Sequence, residues 1–584
     1  MKHRRFTYLI VMILLLVLAG CGGNGDAGSS DQGDKVTVRF LDQDGNEISK
    51  QTVAKGDPVS PPQLSLDGKT LEGWYYDFYS PAWSFSDPVK KNMELRALCT
   101  DEVQTVSSKL TYHDLSGYEM RGCDSNGVLV IFVRYTDGLD CDIETLERIF
   151  NSEQDSFDRL KSVSSYYQYN SYGKADLDFH FMIYDSKMTC KESYDRNSSS
   201  YDFLEDIFDY AKNHYEGDFN ELDKNNDGYA DLVIFLGGED PYKTVKDGSM
   251  YHVYSASGAV NSWSIPTVGD PQMKYFIKVP FYGMENDPEP ANRESALRVL
   301  IHEIGHAYGL MDYYDFVPYN GGTLDVVGTF DMQSYDVGDW NCFSRFSVGW
   351  LDPYLINDDI KSVTLKLTCS SENNNAILIP TSKGWNGTAF DEYLLIDVMA
   401  PEGANGYDWD WGLNEWQAKP MGAQLEGGVR ILHVDARLAL KTSKENEYEE
   451  LVAVFSPVDG YDEIMSILND PGYGNRMSLS HRYSCSNGYE PLIEGDSRFF
   501  HILDIVPRDG SDKYRISTPS EYWYFYLFSP GDLFTTGDVF SMEEKSAAFP
   551  NAPYANNGGT FDYSVKIEHY DKVNHEAIVT VYRP

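Results

Sequence analysis

The chain has 584 residues, too many for one ordinary hydrophobic core and enough for three or four. Its 43 Tyr, 29 Phe and 10 Trp supply too much packable surface for a disordered acidic tail. A formal net charge of -43 repels phosphate backbones, so nucleic acid is excluded as an expected partner and a soluble extracellular protein is favoured.

In chain order, Lys2, Arg4 and Arg5 precede an apolar run from Tyr8 to Ala19, the layout of a signal peptide. The run is too short for a spanning helix, which needs about 20 residues. It ends in Leu18-Ala19-Gly20-Cys21, which resembles the lipobox of bacterial lipoproteins. That resemblance implies cleavage after residue 20, a lipid on Cys21, and a place on the extracellular face of the bacterial cell membrane, with some protein released. Residues 21–35, rich in Gly, Ser and Asp, read as a flexible tether. Setting Cys21 apart from the eight cysteines leaves Cys99, Cys123, Cys141, Cys190, Cys342, Cys369 and Cys485. They are scattered and form no CxxC pair, so neither a cysteine zinc site nor a disulfide framework is expected, and pairing stays open.

Residues 36–100 read as a small β module. VTVRFLDQDGNEI is an alternating strand pair with its turn at Asp44-Gly45-Asn46; Gly73-Trp74, Trp83 and Phe85 supply aromatics. The order of strand, turn and aromatic positions resembles one internalin-type bacterial B repeat, which implies a spacer or docking module. Residues 101–355 alternate strand and helix signals: GVLVIFVRYT at 127–136, a helix near 143–160, a strand ending in DLDFHFMIYD, and DLVIFLGG at 231–238. This is expected to be an α/β (α+β) domain. Residues 356–584 change to short strands between Gly, Pro and Asn turns, as in a β-sandwich or jelly roll.

The chemistry is concentrated in ANRESALRVLIHEIGHAYGLMDYYD. Leu297, Leu300, Ile301, Ile304 and Tyr308 form the apolar stripe of a buried helix. His302 and His306 are four residues apart, so both imidazoles leave one face, about one turn apart, as a shared zinc ion requires. Glu303 lies beside them as a candidate general base. Gly309 marks the end of the helix, and Asp312 can return an oxygen ligand to the metal, with Asp315 as its rival. Met332 falls in DVVGTFDMQSYD, a candidate tight turn, and Tyr335 follows it.

HExxHxxGxxD, the Tyr-Tyr-Asp after it and Asp331-Met332 resemble the immune inhibitor A (thuringilysin) family of bacterial metallopeptidases. VLVIFVRYTD, SVSSYYQYNSYGKADL, RFSVGWLDP, EYLLID and GVRILHVDA are similar to segments of the same family. The resemblance runs from about residue 127 to at least 440, and more weakly to the end, and implies a metzincin-like fold, zinc and often calcium, with Met332 in the Met-turn. Met311 departs from the family pattern, which has proline there to pre-set the turn presenting Asp312.

DKNNDGYADL places Asp223, Asn225, Asp227 and Asp231 at alternate positions of an EF-hand-like loop around Gly228, a candidate calcium site. Its twelfth position is Ile234, so the bidentate Glu is missing, and a solvated Asx-rich turn is the alternative. The expectation is a lipid-anchored zinc metalloendopeptidase. It would act on extracellular protein or peptide chains laid along a strand of its catalytic domain. A catalytically idle adhesin on a peptidase scaffold, or a zinc hydrolase of some other substrate, would compete with it. Cleavage preference, activation route and oligomeric state are not legible.

Overall fold

The computed structural model describes residues 34–116, 120–152, 162–197, 202–239, 256–259, 271–273, 275–281, 284, 290–313, 327, 331–334, 338–370, 373–406, 427–443, 451–458, 460–469, 477–481, 501–508, 527–535, 551 and 554–584. Cys21, the signal segment, Cys485, Asp315, Tyr335, 153–161 of the expected first helix and most of the expected strand near 522–528 lie outside them. The architecture is multidomain α/β, with many sheets and few helices. Among the described residues no helix is long and apolar enough to cross a membrane.

The N-terminal module is a four-stranded sheet of β1 (Lys35–Leu41), β2 (Glu47–Ala54), β3 (Thr70–Tyr75) and β4 (Met93–Thr100), in the order β2-β1-β4-β3. Asp42 shapes the first turn by accepting the backbone N–H groups of Asp44 and Asn46, while Gly45 takes a φ of 88°. Alternation on β1 buries Val36, Val38 and Phe40 against Trp74, with Phe85 packed on them.

The second unit opens with α1 (Tyr112–Ser116) and β5 (Ser125–Arg134), which is buried on both faces, as its continuous apolar run requires. Its sheet adds β6 (Asp176–Asp185), β8 (Leu232–Gly237), β9 (Ala256–Ala259) and β11 (Tyr275–Pro280), in the order β6-β5-β8-β11-β9. Four strands are parallel; β9 runs antiparallel to β11 at one edge. A short pair, β7 (Tyr229–Ala230) with β10 (Gln272–Met273), stands beside this sheet. One face packs on α2 (Ile143–Asn151), α3 (Val163–Asn170) and α6 (Pro290–Ala307); the other packs on α5 (Asp202–His214), which follows α4 (Cys190–Asn197). α3 replaces part of the simple connection expected before β6: Ser162 caps it by accepting the Ser165 N–H.

α7 (Cys342–Ser347) then leads to the C-terminal strands. One sheet orders β12 (Tyr354–Leu355), β14 (Ile377–Pro380), β15 (Glu392–Met399), β16 (Gly428–Asp435) and β20 (Leu503–Ile505). A second orders β13 (Ser362–Thr368), β23 (Glu576–Tyr582), β22 (Ser564–Asp571) and β21 (Leu533–Phe534). The two sheets share one core, in which Leu365, Ile567 and Val579 meet Ile379, Ile396 and Ile431. The other face of the first sheet packs on Phe343 and Phe346 of α7. β17 (Leu438–Ser443), β18 (Leu451–Val458) and β19 (Met477–His481) form a third, small sheet, and α8 (Tyr461–Leu468) is a helix the strand-rich sequence pattern did not suggest.

Candidate metal centre

α6 carries His302, Glu303 and His306 in its last turns, held by an apolar stripe of Leu297, Leu300, Ile301 and Ile304, each with no exposed surface. The helix ends in a Schellman turn. Gly309 takes a φ of 91°, its N–H bonds to the His306 carbonyl at 2.9 Å, and the Leu310 N–H reaches back to the Gly305 carbonyl at 3.1 Å. The reversal is therefore made by glycine, and Met311, where proline was expected, is simply an exposed side chain. Asp312 is returned to the histidines without it.

The two histidines are oriented from behind by backbone carbonyls. His302 Nδ1 lies 2.9 Å from the Met332 carbonyl oxygen, and His306 Nδ1 lies 2.7 Å from that of Leu310. A carbonyl only accepts, so each Nδ1 carries the proton and each Nε2 is left with its lone pair. Both Nε2 atoms turn toward Asp312 Oδ1, at 2.8 Å from His302 and 3.5 Å from His306. The imidazole planes are 88° apart. Four-coordinate zinc with bonds near 2.0–2.1 Å would set its ligand atoms roughly 3.3 Å from one another. Asp312 Oδ1 is buried with no donor aligned on it. An acceptor facing two lone pairs, at near-tetrahedral spacing, fits a cation between them better than it fits hydrogen bonds among themselves. Among the described residues, this is the one group of three or more His, Cys, Asp or Glu side chains whose ligand atoms converge.

The electrostatics agree with a site for positive charge. Burial alone would raise the Asp312 carboxyl; His302 and His306, when charged, overcome it and hold it well below the usual carboxylate range, as a cation in the same place would. Burial raises the Glu303 carboxyl, offset in part by His306 and His302, which leaves a stronger base than an exposed glutamate.

Beneath the helix lies the turn that holds Met332. Met332 itself is fully buried. Asp331 organises the turn: Oδ1 accepts the Gln333 N–H at 2.7 Å, and Oδ2 accepts the Asn341 N–H at 2.6 Å and the Ser344 hydroxyl at 3.1 Å. Burial pushes the Asp331 carboxyl up to about 6. Gln333 donates to the His302 carbonyl at 3.2 Å, and its side-chain oxygen lies 2.3 Å from where a Cβ on Gly305 would stand. The glycine inside the histidine motif thus lets turn and helix touch. Sequence reasoning missed Asp331, Gln333 and the Leu310 carbonyl as organisers of the site. Only Asp331 left a signal, an Asx residue two positions before a turn donor.

The acidic loop is arranged differently. Asp223 accepts the Asp227 and Gly228 N–H groups at 3.0 and 2.9 Å, and Asn225 accepts that of Asp227 at 2.8 Å. Asp227 accepts from Tyr229, while Asp231 turns inward to the N–H groups of Gly127 and Lys224. Burial pushes the Asp231 carboxyl up to about 7. These side chains fold their own loop and pin it to the start of β5; their carboxylates do not converge on one point. The six described cysteines form no disulfide with one another.

No model of a known protein family matches the chain, and comparison with curated proteins finds no match either.

Proposed function

We propose that the chain is a zinc metalloendopeptidase with a metzincin-like catalytic unit, related to the immune inhibitor A family. The observation that carries this reading is the convergence of His302 Nε2, His306 Nε2 and Asp312 Oδ1, with Glu303 one residue from the first ligand. A zinc ion held there would supply Lewis acidity for the scissile carbonyl and for the attacking water. Glu303 would take the proton from that water and return it to the leaving amine, burial having raised its carboxyl above the ordinary value. The Met332 and Leu310 carbonyls keep both imidazoles in the tautomer that binds metal. β9, an edge strand beside α6 among the described residues, offers an unpaired backbone along which an extended peptide can lie. A lipid on Cys21 would keep the enzyme at the cell surface, and calcium in the loop from Asp223 to Asp231 would be a stabilising addition.

The test is hydrolysis of casein or a peptide library by wild type and Glu303→Gln at matched zinc content and matched melts. Removing a positioned acid–base group should cost roughly 10²–10⁴-fold in rate. Comparable activity in the two proteins refutes the mechanism. Absence of activity in both, with zinc bound, supports the adhesin reading instead.

A further inference from the structure

The N-terminal module is docked on the second C-terminal sheet. The Asp101 N–H donates to the Thr364 carbonyl at 2.7 Å, and the Thr364 N–H returns to the Asp101 carboxylate at 2.8 Å. On the other side, the Tyr570 and Lys572 N–H groups donate to the Phe78 and Tyr79 carbonyls at 3.0 and 3.2 Å. Between these contacts remains a cavity of about 230 Å³, walled by Tyr75, Tyr76, Phe78, Arg96, Glu568 and His569.

His569 is the unusual member. It is only 2% exposed, yet neither ring nitrogen has a hydrogen-bond partner. The carbonyls of Ser80 and Asp77 approach it without bonding geometry, and its ring packs on Tyr75 at 4.2 Å. Burial lowers its proton affinity, so near neutral pH it presents one N–H donor and one bare acceptor. Leaving both idle in a buried position is costly, and a ligand that pairs with them removes the cost. At the mouth, Tyr76 is 47% and Phe78 52% exposed, and Trp83 meets Tyr76 edge-on at 6.2 Å. Arg96 is fixed by donating to the Gln43 carbonyl, and Glu568 by Lys566 at 2.9 Å, so the walls are set before any ligand arrives.

We propose that this cavity binds an uncharged saccharide. Arg96 gives the wall a positive group and Asp77, Glu94 and Glu568 give it negative ones, so a charged ligand meets a like charge beside its partner. A sugar hydroxyl both donates and accepts, and the C–H face of a pyranose covers exposed aromatic rings. A water molecule would answer the imidazole but leave Tyr76 and Phe78 in solvent. The inference does not depend on the zinc site, and its readout is binding, not hydrolysis.

The experiment is saturation-transfer difference NMR on the full chain with uncharged mono- and disaccharides of hexose and N-acetylhexosamine type. Transfer to ring protons is expected. Tyr76→Ala and Phe78→Ala, exposed sites at which the melt should hold, should weaken it about tenfold, the scale of one lost aromatic contact. His569→Phe keeps the ring and its packing on Tyr75, so it should lose the sugar while melting no lower than wild type. No transfer from any sugar overturns the proposal. So does transfer at wild-type strength in all three variants, or in His569→Phe alone. A protein captured through Tyr76 and Phe78 without any sugar signal would assign the surface to a protein partner and overturn it as well.

Discussion

Asp312 stands two residues beyond the turn made by Gly309 and Leu310, and its carboxylate faces both imidazoles at once. Asp312→Asn keeps the shape and removes the charge, so zinc retained after dialysis, read by elemental analysis, should fall by more than about tenfold. Asp315→Asn should retain it; the opposite pattern would transfer the ligand role to Asp315. The shared face of His302 and His306 was legible because helical geometry converts a spacing of four directly into it. The carbonyls that orient them were not, since a backbone carbonyl has no residue signature. A second residue-level consequence concerns Asp391. Burial pushes the Asp391 carboxyl up to about 7, only partly countered by the N–H groups of Asn386 and Glu392. The folded chain then holds this proton more tightly than the unfolded chain does. Its contribution to stability is complete below the unfolded value near 3.8 and is lost as pH rises through about 7. The amount is on the order of a few kcal/mol. Melting temperatures should therefore drop less between about pH 5 and pH 8 in Asp391→Asn than in wild type. Equal slopes would show that this carboxyl titrates normally.

At the scale of elements, the C-terminus of α6 would join stability to the proposed metal binding. Gly309→Ala forces a Cβ into left-handed backbone, at roughly 1–2 kcal/mol, and disturbs the Leu310 carbonyl that holds His306 Nδ1. Zinc affinity, measured by competition with a chromogenic chelator, should fall even though residue 309 touches no ligand atom; unchanged affinity would mean that the carbonyl is dispensable. Buried strands were the most legible elements: β5, β8, β15 and β16 follow their apolar runs closely. α3 was obscured because its sequence, VSSYYQYN, is rich in Ser and Tyr and has a weak apolar stripe, so its cap at Ser162 was the main cue. The loop from Asp223 to Asp231 stays open between two readings, because a self-capping Asx loop and a calcium loop draw on the same residues at the same spacing.

Across the whole molecule, the sequence separated module, α/β unit and sandwich, but not how they join. β12, placed by the sequence at the end of the catalytic region, is a strand of the C-terminal sheet, paired with β14. Contacts such as Asp101 with Thr364 link residues 263 positions apart and leave no local pattern to read. If Cys21 carries a lipid, Cys21→Ser should move the protein from the membrane fraction to the medium or leave an unprocessed precursor; a wild type without acyl mass at its N-terminus would end that reading. The segment that enters the α/β unit and the one that leaves it run side by side. Thr105 bridges Tyr354, the Val106 N–H donates to the Pro353 carbonyl at 2.9 Å, and the Ser107 hydroxyl donates to Asp352 at 2.6 Å. The α/β unit is thus a chain insertion with adjacent ends, and it also packs on the first C-terminal sheet through Phe343 and Phe346. Chain insertions of this kind exchange readily when their two ends are adjacent. A short turn closing residue 107 onto 352 would leave module and sandwich in one chain, and any unit grafted there would have to cover the sheet face that Phe343 and Phe346 cover now.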